Sequence, residues 1–156
     1  MRIDPTTLDI QILAPLFAAF EEYGARLLYV GGCIRNAVMG VVATDIDLTS
    51  DAEPDQMRQI AQAHGIEVVD TGAAHGTLTF LMGGKSYEIT TFRKDVTTDG
   101  RHAEVIFGTS LEEDAARRDF TMNALYAEAS GHVIDPLDGL DDAKARRLRF
   151  IGEPQA

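Results

Sequence analysis

Apolar residues recur at helical spacing near the N-terminus. Leu8, Ile12, Leu16 and Phe20 stand four apart, with Leu13 and Phe17 widening the stripe. That periodicity predicts a helix over residues 6–23 with one face in a core, stopped at Gly24. The period then changes. Leu27, Leu28, Tyr29 and Val30 form a short, wholly apolar run broken by Gly31 and Gly32, the pattern of a buried strand. Residues 33–39 read as a short helix ended by Gly40, and 44–50 as a strand. Residues 54–64 read as a helix opened by Asp51 or Glu53, with Pro54 near its first turn. A third strand is predicted over 66–69.

The second half is strand-rich. Residues 77–82 and 86–92 flank Gly83-Gly84, a hairpin signal. The polar stretch 93–103, with Asp99-Gly100, reads as a mobile loop. Helical patterns follow over 111–118 and 120–124, short strands near Tyr126 and Val133, a helix over 137–145 and an apolar run at 148–151. Strands and helices alternate without a parallel βαβ repeat. The expected class is α+β, a mixed, mostly antiparallel sheet packed with helices.

The chain has 156 residues and 45% hydrophobic content, which fits one domain spanning 1–156. Its formal net charge of −11 changes the picture. An acidic surface repels a phosphate backbone, so cations or a further basic segment must supply any attraction for nucleic acid. The single cysteine, Cys33, has no partner for an internal disulfide, and no Cys/His spacing suggests zinc. The start lacks a signal-peptide layout, and no apolar run approaches the roughly 18 residues of a membrane span. These features suit a cytoplasmic protein with no membrane partner.

Four constellations carry candidate chemistry. Asp45 and Asp47 are two apart on the predicted strand, so their carboxylates share a face while Ile46 and Leu48 turn inward. Adjacent carboxylates repel, and Mg²⁺ relieves that while taking phosphate oxygens as further ligands. The plainer alternative is two exposed acids on an edge strand. An EF-hand is excluded, because Ser50 and Gln56 stand where its glycine and glutamate belong. Gly31 and Gly32 end a strand and run into a helix. They allow close approach of backbone to phosphate, with Arg35 within reach of the same anion, though such a pair is also a common turn.

The third constellation is Arg117-Arg118-Asp119-Phe120-Thr121-Met122-Asn123-Ala124. Glu113 and Arg117 are four apart, as are Asp114 and Arg118, so the basic pair could merely balance a helix face. In the functional reading one arginine turns inward to a triphosphate, with Asp119 or Asn123 fixing it or contacting ribose. Fourth, Glu88 stands on a strand, as a third metal carboxylate or an ordinary exposed acid. His64, His75, His102 and His132 show no metal spacing, and Cys33 reads as a small apolar filler.

The order and spacing of these segments closely resemble the head of class II tRNA nucleotidyltransferases and poly(A) polymerases. The resemblance lies in 30–36 (V-G-G-C-I-R-N), 44–50 (T-D-I-D-L-T-S) and 117–125 (R-R-D-F-T-M-N-A-L). It extends to His75-Gly76-Thr77, to 87–93 (Y-E-I-T-T-F-R), to Asp99-Gly100-Arg101-His102 and to 135–139 (D-P-L-D-G). Ala103 stands where the family usually has proline. The resemblance implies a polymerase-β-like nucleotidyltransferase fold and a two-metal Mg²⁺ site held by Asp45 and Asp47, with Glu88 a less certain ligand. It implies that Gly32 and Arg35 contact the triphosphate of an incoming CTP or ATP and that Arg118 lies at the nucleotide. The loop around 95–102 resembles the flexible loop that takes part in nucleotide switching. CCA addition to tRNA is the expected reaction, with poly(A) addition and a catalytically incomplete nucleotide-binding fragment as alternatives. Family members continue into a neck with an E-D-x-x-R-x-x-R element that reads the base, and into body and tail domains that hold tRNA. Residues 152–156 therefore read as a cut, with those basic domains beyond it.

Overall fold

A computed structural model describes residues 1–41, 45–98, 102–107, 110–146 and 151. Helix α1 (Ile10–Glu22) follows a short 3₁₀ turn (Pro5–Leu8), from which Asp9 separates it with φ 54°. The single helix predicted over 6–23 is thus two pieces. Leu13, Leu16 and Phe20 of α1 are buried, so the predicted stripe is the packed face.

Strand β1 (Leu27–Val30), helix α2 (Gly32–Val38), strand β2 (Asp47–Ser50) and helix α3 (Pro54–Ala63) come next. A capping box between Glu53 and Gln56, with Pro54 in the first turn, opens α3, satisfying donors that a bare helix start leaves unpaired. Strands β3 (Glu67–Gly72), β4 (Thr77–Met82) and β5 (Lys85–Thr91) form a meander, with Gly83 and Gly84 at its second turn. Strands β6 (Arg93–Thr98) and β7 (His102–Phe107) pair with each other alone. The stretch expected as a mobile loop is therefore a hairpin. Its residues 94–98 alternate too little in polarity to announce a strand, and its pairing runs to the Arg93↔Phe107 register. Residues 99–101 lie outside the described set. Helix α4 (Leu111–Ala116), a 3₁₀ turn (Thr121–Asn123), strands β8 (Tyr126–Ala127) and β9 (Val133–Ile134) and helix α5 (Gly139–Lys144) complete the fold.

The main sheet has seven strands in the order β3-β4-β5-β2-β1-β8-β9, and every adjacent pair is antiparallel except β2 with β5. The α+β expectation holds. Strand β1 is apolar throughout because both faces are covered. Leu27 and Tyr29 enter the large core with α1, whereas Leu28 and Val30 enter a smaller one with Leu111 and Ala115 of α4. Full burial of each such leucine is worth about 1.5–3 kcal/mol.

This two-sidedness positions the site. Leu48 and Ile89 are registered neighbours on β2 and β5, and both turn into the large core. Side chains alternate along a strand, so the preceding registered pair, Asp47 and Glu88, projects from the opposite face. That is the side on which α4 packs.

Candidate active site

A cleft of about 510 Å³ opens between the end of β1, the start of β2, the middle of β5 and the segment after α4. Its floor is the glycine turn. Gly31 has φ 78° and ψ −134°, a conformation that essentially only glycine adopts. A Cβ built there would lie 3.8 Å from the Asn123 carbonyl oxygen and 4.0 Å from Arg118 Nη1, so the turn and the 117–123 segment touch. The Gly31 N–H donates to Leu125 O at 3.0 Å, tying the turn to the strand that pairs beside it.

Four arginines line the cleft: Arg35, Arg93, Arg117 and Arg118. Arg35, in the first turn of α2, donates from Nη1 to Asn123 Oδ1 at 2.9 Å. The Asn123 amide in turn donates to Asp119 Oδ1 at 3.1 Å, an oxygen that also accepts the Phe120 N–H at 2.8 Å. The Asn123 hydrogen bond, opposed by partial burial and aided by backbone N–H groups, holds the Asp119 carboxyl below its ordinary value. Asp119 and Asn123 therefore orient Arg35, with Asp119 at the far end of the relay. One of them was expected either to fix the inward arginine of the Arg117-Arg118 pair or to contact ribose.

That role belongs to Asp114, which is fully buried. Its Oδ1 accepts from Arg117 Nε at 3.2 Å and from the Arg93 backbone N–H at 3.1 Å. Its Oδ2 accepts from Arg118 Nη2 at 3.2 Å and from the Tyr126 hydroxyl at 2.6 Å. The spacing rule found the Asp114–Arg118 partnership but offered it only as the balancing of a helix face. Both arginine side chains are in fact mostly covered, with 16% and 17% exposure. Burial draws the Arg117 guanidinium below its ordinary value, against the pull of Asp114. For Arg118 burial acts in the same sense, but Tyr126 and Asp114 outweigh it and the net shift is upward. Arg93 joins the wall from β6, with Nη1 donating to His75 O at 2.8 Å. Arg93 had no assigned place in the site, and Arg117 only as one of a pair of which a single arginine was expected to turn inward. Their sequence signal was position, one just past the strand that carries Glu88 and the other beside Arg118.

Asp47 and Glu88 form the facing wall and also border a neighbouring depression shared with Asp45 and Ser86. Asp45 lies before β2 rather than on it, because the strand starts at Asp47. Its closeness to Asp47 comes from the approach to the strand, not from the two-residue strand period, and Thr44 is outside the described residues. Ile46 is partly buried and Leu48 fully buried against the core, as expected. The Asp47 carboxyl is raised above its ordinary value by partial burial first, then by Glu88 and Asp45, with Arg118 acting in the opposite sense. Asp47 is thus a partly buried carboxylate that also feels the charges of Glu88 and Asp45. Among the described residues no three His, Cys, Asp or Glu side chains converge closely enough to hold a metal ion by themselves. Paired aspartates with unrelieved repulsion still fit Mg²⁺, which takes one or two carboxylates and fills its other positions with water and phosphate oxygens.

Behind the cleft, the D-P-L-D-G segment is a brace. Asp135 accepts the Gly139 and Leu140 N–H groups at 2.8 and 3.0 Å. A Cβ on Gly139 would fall 1.9 Å from the Thr121 carbonyl oxygen, so only glycine lets α5 support the turn that carries Asn123. Cys33 is buried and burial pushes its thiol up to about 11. That suits a packing role and not a nucleophile. No helix among the described residues is long and apolar enough to cross a membrane.

Comparison with known proteins agrees with this geometry. Residues 27–149 match the family model of the poly(A) polymerase head domain. A CCA-adding enzyme of Levilactobacillus brevis is 39% identical over 99% of this chain and 38% of its own length. The mitochondrial CCA tRNA nucleotidyltransferase 1 of Homo sapiens is 40% identical over 90% of this chain and 32% of its own length. The crystal structure of the Bacillus stearothermophilus CCA-adding enzyme in complex with CTP superposes with a TM-score of 0.80 at 35% identity, covering 92% of this chain and 34% of that one. The chain therefore spans about a third of the length of such relatives, and it belongs to the poly(A) polymerase head-domain family.

Proposed function

We propose that this chain is the catalytic head of a nucleotidyltransferase that adds nucleotides from CTP and ATP to an RNA 3′ end, with CCA addition to tRNA preferred over poly(A) addition. The observation that carries it is one cleft in which a glycine turn and four arginines face Asp47 and Glu88. A wall of cations beside crowded carboxylates is the complement of a triphosphate bound with a divalent metal. The names of the relatives favour CCA addition. A cytoplasmic site of action suits the single buried thiol.

In this reading the 3′-hydroxyl oxygen of the RNA attacks the α-phosphorus in line. A new P–O bond forms, the bond to the bridging α–β oxygen breaks and pyrophosphate leaves. Asp45 and Asp47 would hold Mg²⁺, which when bound would make the hydroxyl more acidic and screen the phosphate charge; Glu88 adds negative field beside them. Gly31 and Gly32 give the phosphates close access to backbone. Arg35 and Arg118 bind the phosphates and stabilise the charge that develops on pyrophosphate, and Asn123 and Asp119 hold Arg35 at the height of the ribose. RNA contacts beyond the 3′ end, and base choice, belong to the neck, body and tail of the complete enzyme.

The test is incorporation of labelled CTP and ATP into tRNA lacking its terminal CCA, using the full-length protein with and without Mg²⁺. Mg²⁺-dependent addition of two C and one A residues is expected. Extension by A alone on a generic RNA would favour poly(A) addition. Tight nucleotide binding with no extension of either RNA would leave a binding module only.

A further inference from the structure

We propose that Tyr126 and Asp114 act together as a positioning clamp that aims one edge of the Arg118 guanidinium at the glycine turn and so sets how tightly the cleft holds a triphosphate. The inference rests on the reading that nucleoside triphosphates bind there. Tyr126 and Asp114 are both fully buried. The Tyr126 hydroxyl donates to Asp114 Oδ2 at 2.6 Å and accepts from Arg118 Nε at 3.4 Å. Arg118 Nη2 donates to the same Asp114 oxygen at 3.2 Å. Two corners of the planar guanidinium are thereby tied. Its third nitrogen, Nη1, is the one that lies 4.0 Å from where a Gly31 Cβ would stand.

The clamp is rigid for reasons visible in the sheet. Tyr126 is registered directly opposite Val30, the last residue before the turn. The guanidinium carbon lies 5.6 Å from the centre of the Tyr126 ring, a cation–π distance. That ring meets Phe92 edge-on at 6.5 Å. Strand pairing thus fixes the clamp and the turn to each other, and the arginine inherits that alignment. Burial holds the Tyr126 hydroxyl protonated, with Arg118 opposing and Asp114 reinforcing the shift, so it remains a donor to Asp114. The charge balance also matters. One carboxylate, Asp114, faces two guanidinium groups, Arg117 and Arg118, leaving a net positive edge toward the cleft.

The deciding experiment is a double-mutant cycle in the full-length protein. Wild type, Tyr126→Phe, Arg118→Ala and the double variant are titrated calorimetrically with ATP and Mg²⁺. Thermal melting checks that each variant is folded at the assay temperature. Tyr126→Phe keeps the ring and its packing, so it avoids the unpaired buried charges that an Asp114 variant would leave. The expected result is about a tenfold weaker Kd for Tyr126→Phe, the scale of a hydrogen bond to a charged group. The double variant should bind no worse than Arg118→Ala within about twofold, because the hydroxyl acts through that arginine. A purely structural tyrosine would add its loss to that of Arg118→Ala, and this outcome overturns the proposal. So does an unchanged Kd in Tyr126→Phe. A wild-type protein that binds no triphosphate would instead remove the functional reading beneath it.

Discussion

The two walls of the cleft solve the problem of partly buried charge in opposite ways. On the arginine wall, Asp114 accepts four hydrogen bonds, including those from Arg117, Arg118 and Tyr126. Arg117 and Arg118 share that carboxylate before any ligand arrives, while Arg35 is held by the Asn123 amide and Arg93 by the His75 carbonyl. On the other wall, partial burial first, then Glu88 and Asp45, raises the Asp47 carboxyl against the pull of Arg118. Arg117 and Arg118 are paired within the protein; on the other wall Asp47 is a partly buried carboxylate whose charged form a divalent cation would stabilise. Preorganised cations and deliberately repelling anions are separate uses of the same electrostatics.

The contrast is broken most strongly at Asp47. Asp47→Ala is expected to lower Mg²⁺-dependent nucleotide incorporation by about a thousandfold or more, the scale of lost metal-assisted charge stabilisation. Its melting temperature should equal or exceed that of the wild type, since a repelling group has gone. Asp114→Ala should do the reverse to stability. Leaving two covered arginines without their carboxylate is expected to cost about 3–5 kcal/mol, read as a lowered denaturant midpoint. A melting temperature unchanged in Asp114→Ala, or sharply lowered in Asp47→Ala, would show the two walls to be built alike.

Gly31→Ala tests the floor between them. Forcing a Cβ into its backbone conformation is expected to cost about 1–3 kcal/mol, with nucleotide affinity falling in parallel. The smallest effect is the pH dependence of Asp47. A carboxyl raised in the folded state binds its proton more tightly there than when unfolded. Its contribution to stability is therefore fullest below the ordinary carboxylate range and is lost as pH rises through the raised value. Melting curves across that window should flatten in Asp47→Asn, and Mg²⁺ should restore stability at neutral pH in wild type but not in the variant.

Much of this was legible from the chain. The glycine turn, Arg35, Asp47, Asp119 and Asn123 were singled out by residue type and spacing, and Arg118 by the family resemblance; all line one cleft. A period-four stripe found α1, an apolar run β1, cap residues with Pro54 α3, and Gly83-Gly84 the β4–β5 hairpin. What escaped depends on contacts between distant segments. The parallel register that sets Glu88 beside Asp47 joins residues of two strands separated by a helix and two further strands. The depth of Asp114 could not be read from a spacing rule, because i to i+4 pairs look alike on covered and solvated faces. Among the described residues, 93–98 and 102–107 pair with each other outside the main sheet, and the polar run from 93 to 98 carries no apolar alternation to mark a strand.

The sheet order carries a last consequence, for synthesis. Strand β1 lies between β2 and β8, so the residues around Gly31 need a neighbour encoded almost a hundred positions later in the chain. Such late pairing makes folding slow and non-local. A nascent chain emerging from the ribosome can bury α1 against the early strands, but it lacks the Arg117 and Arg118 half of the arginine wall until the segment through Tyr126 is out. Acquisition of the cleft thus coincides with closure of the sheet, and a half-made head would present its acids without the Arg117 and Arg118 cations that face them.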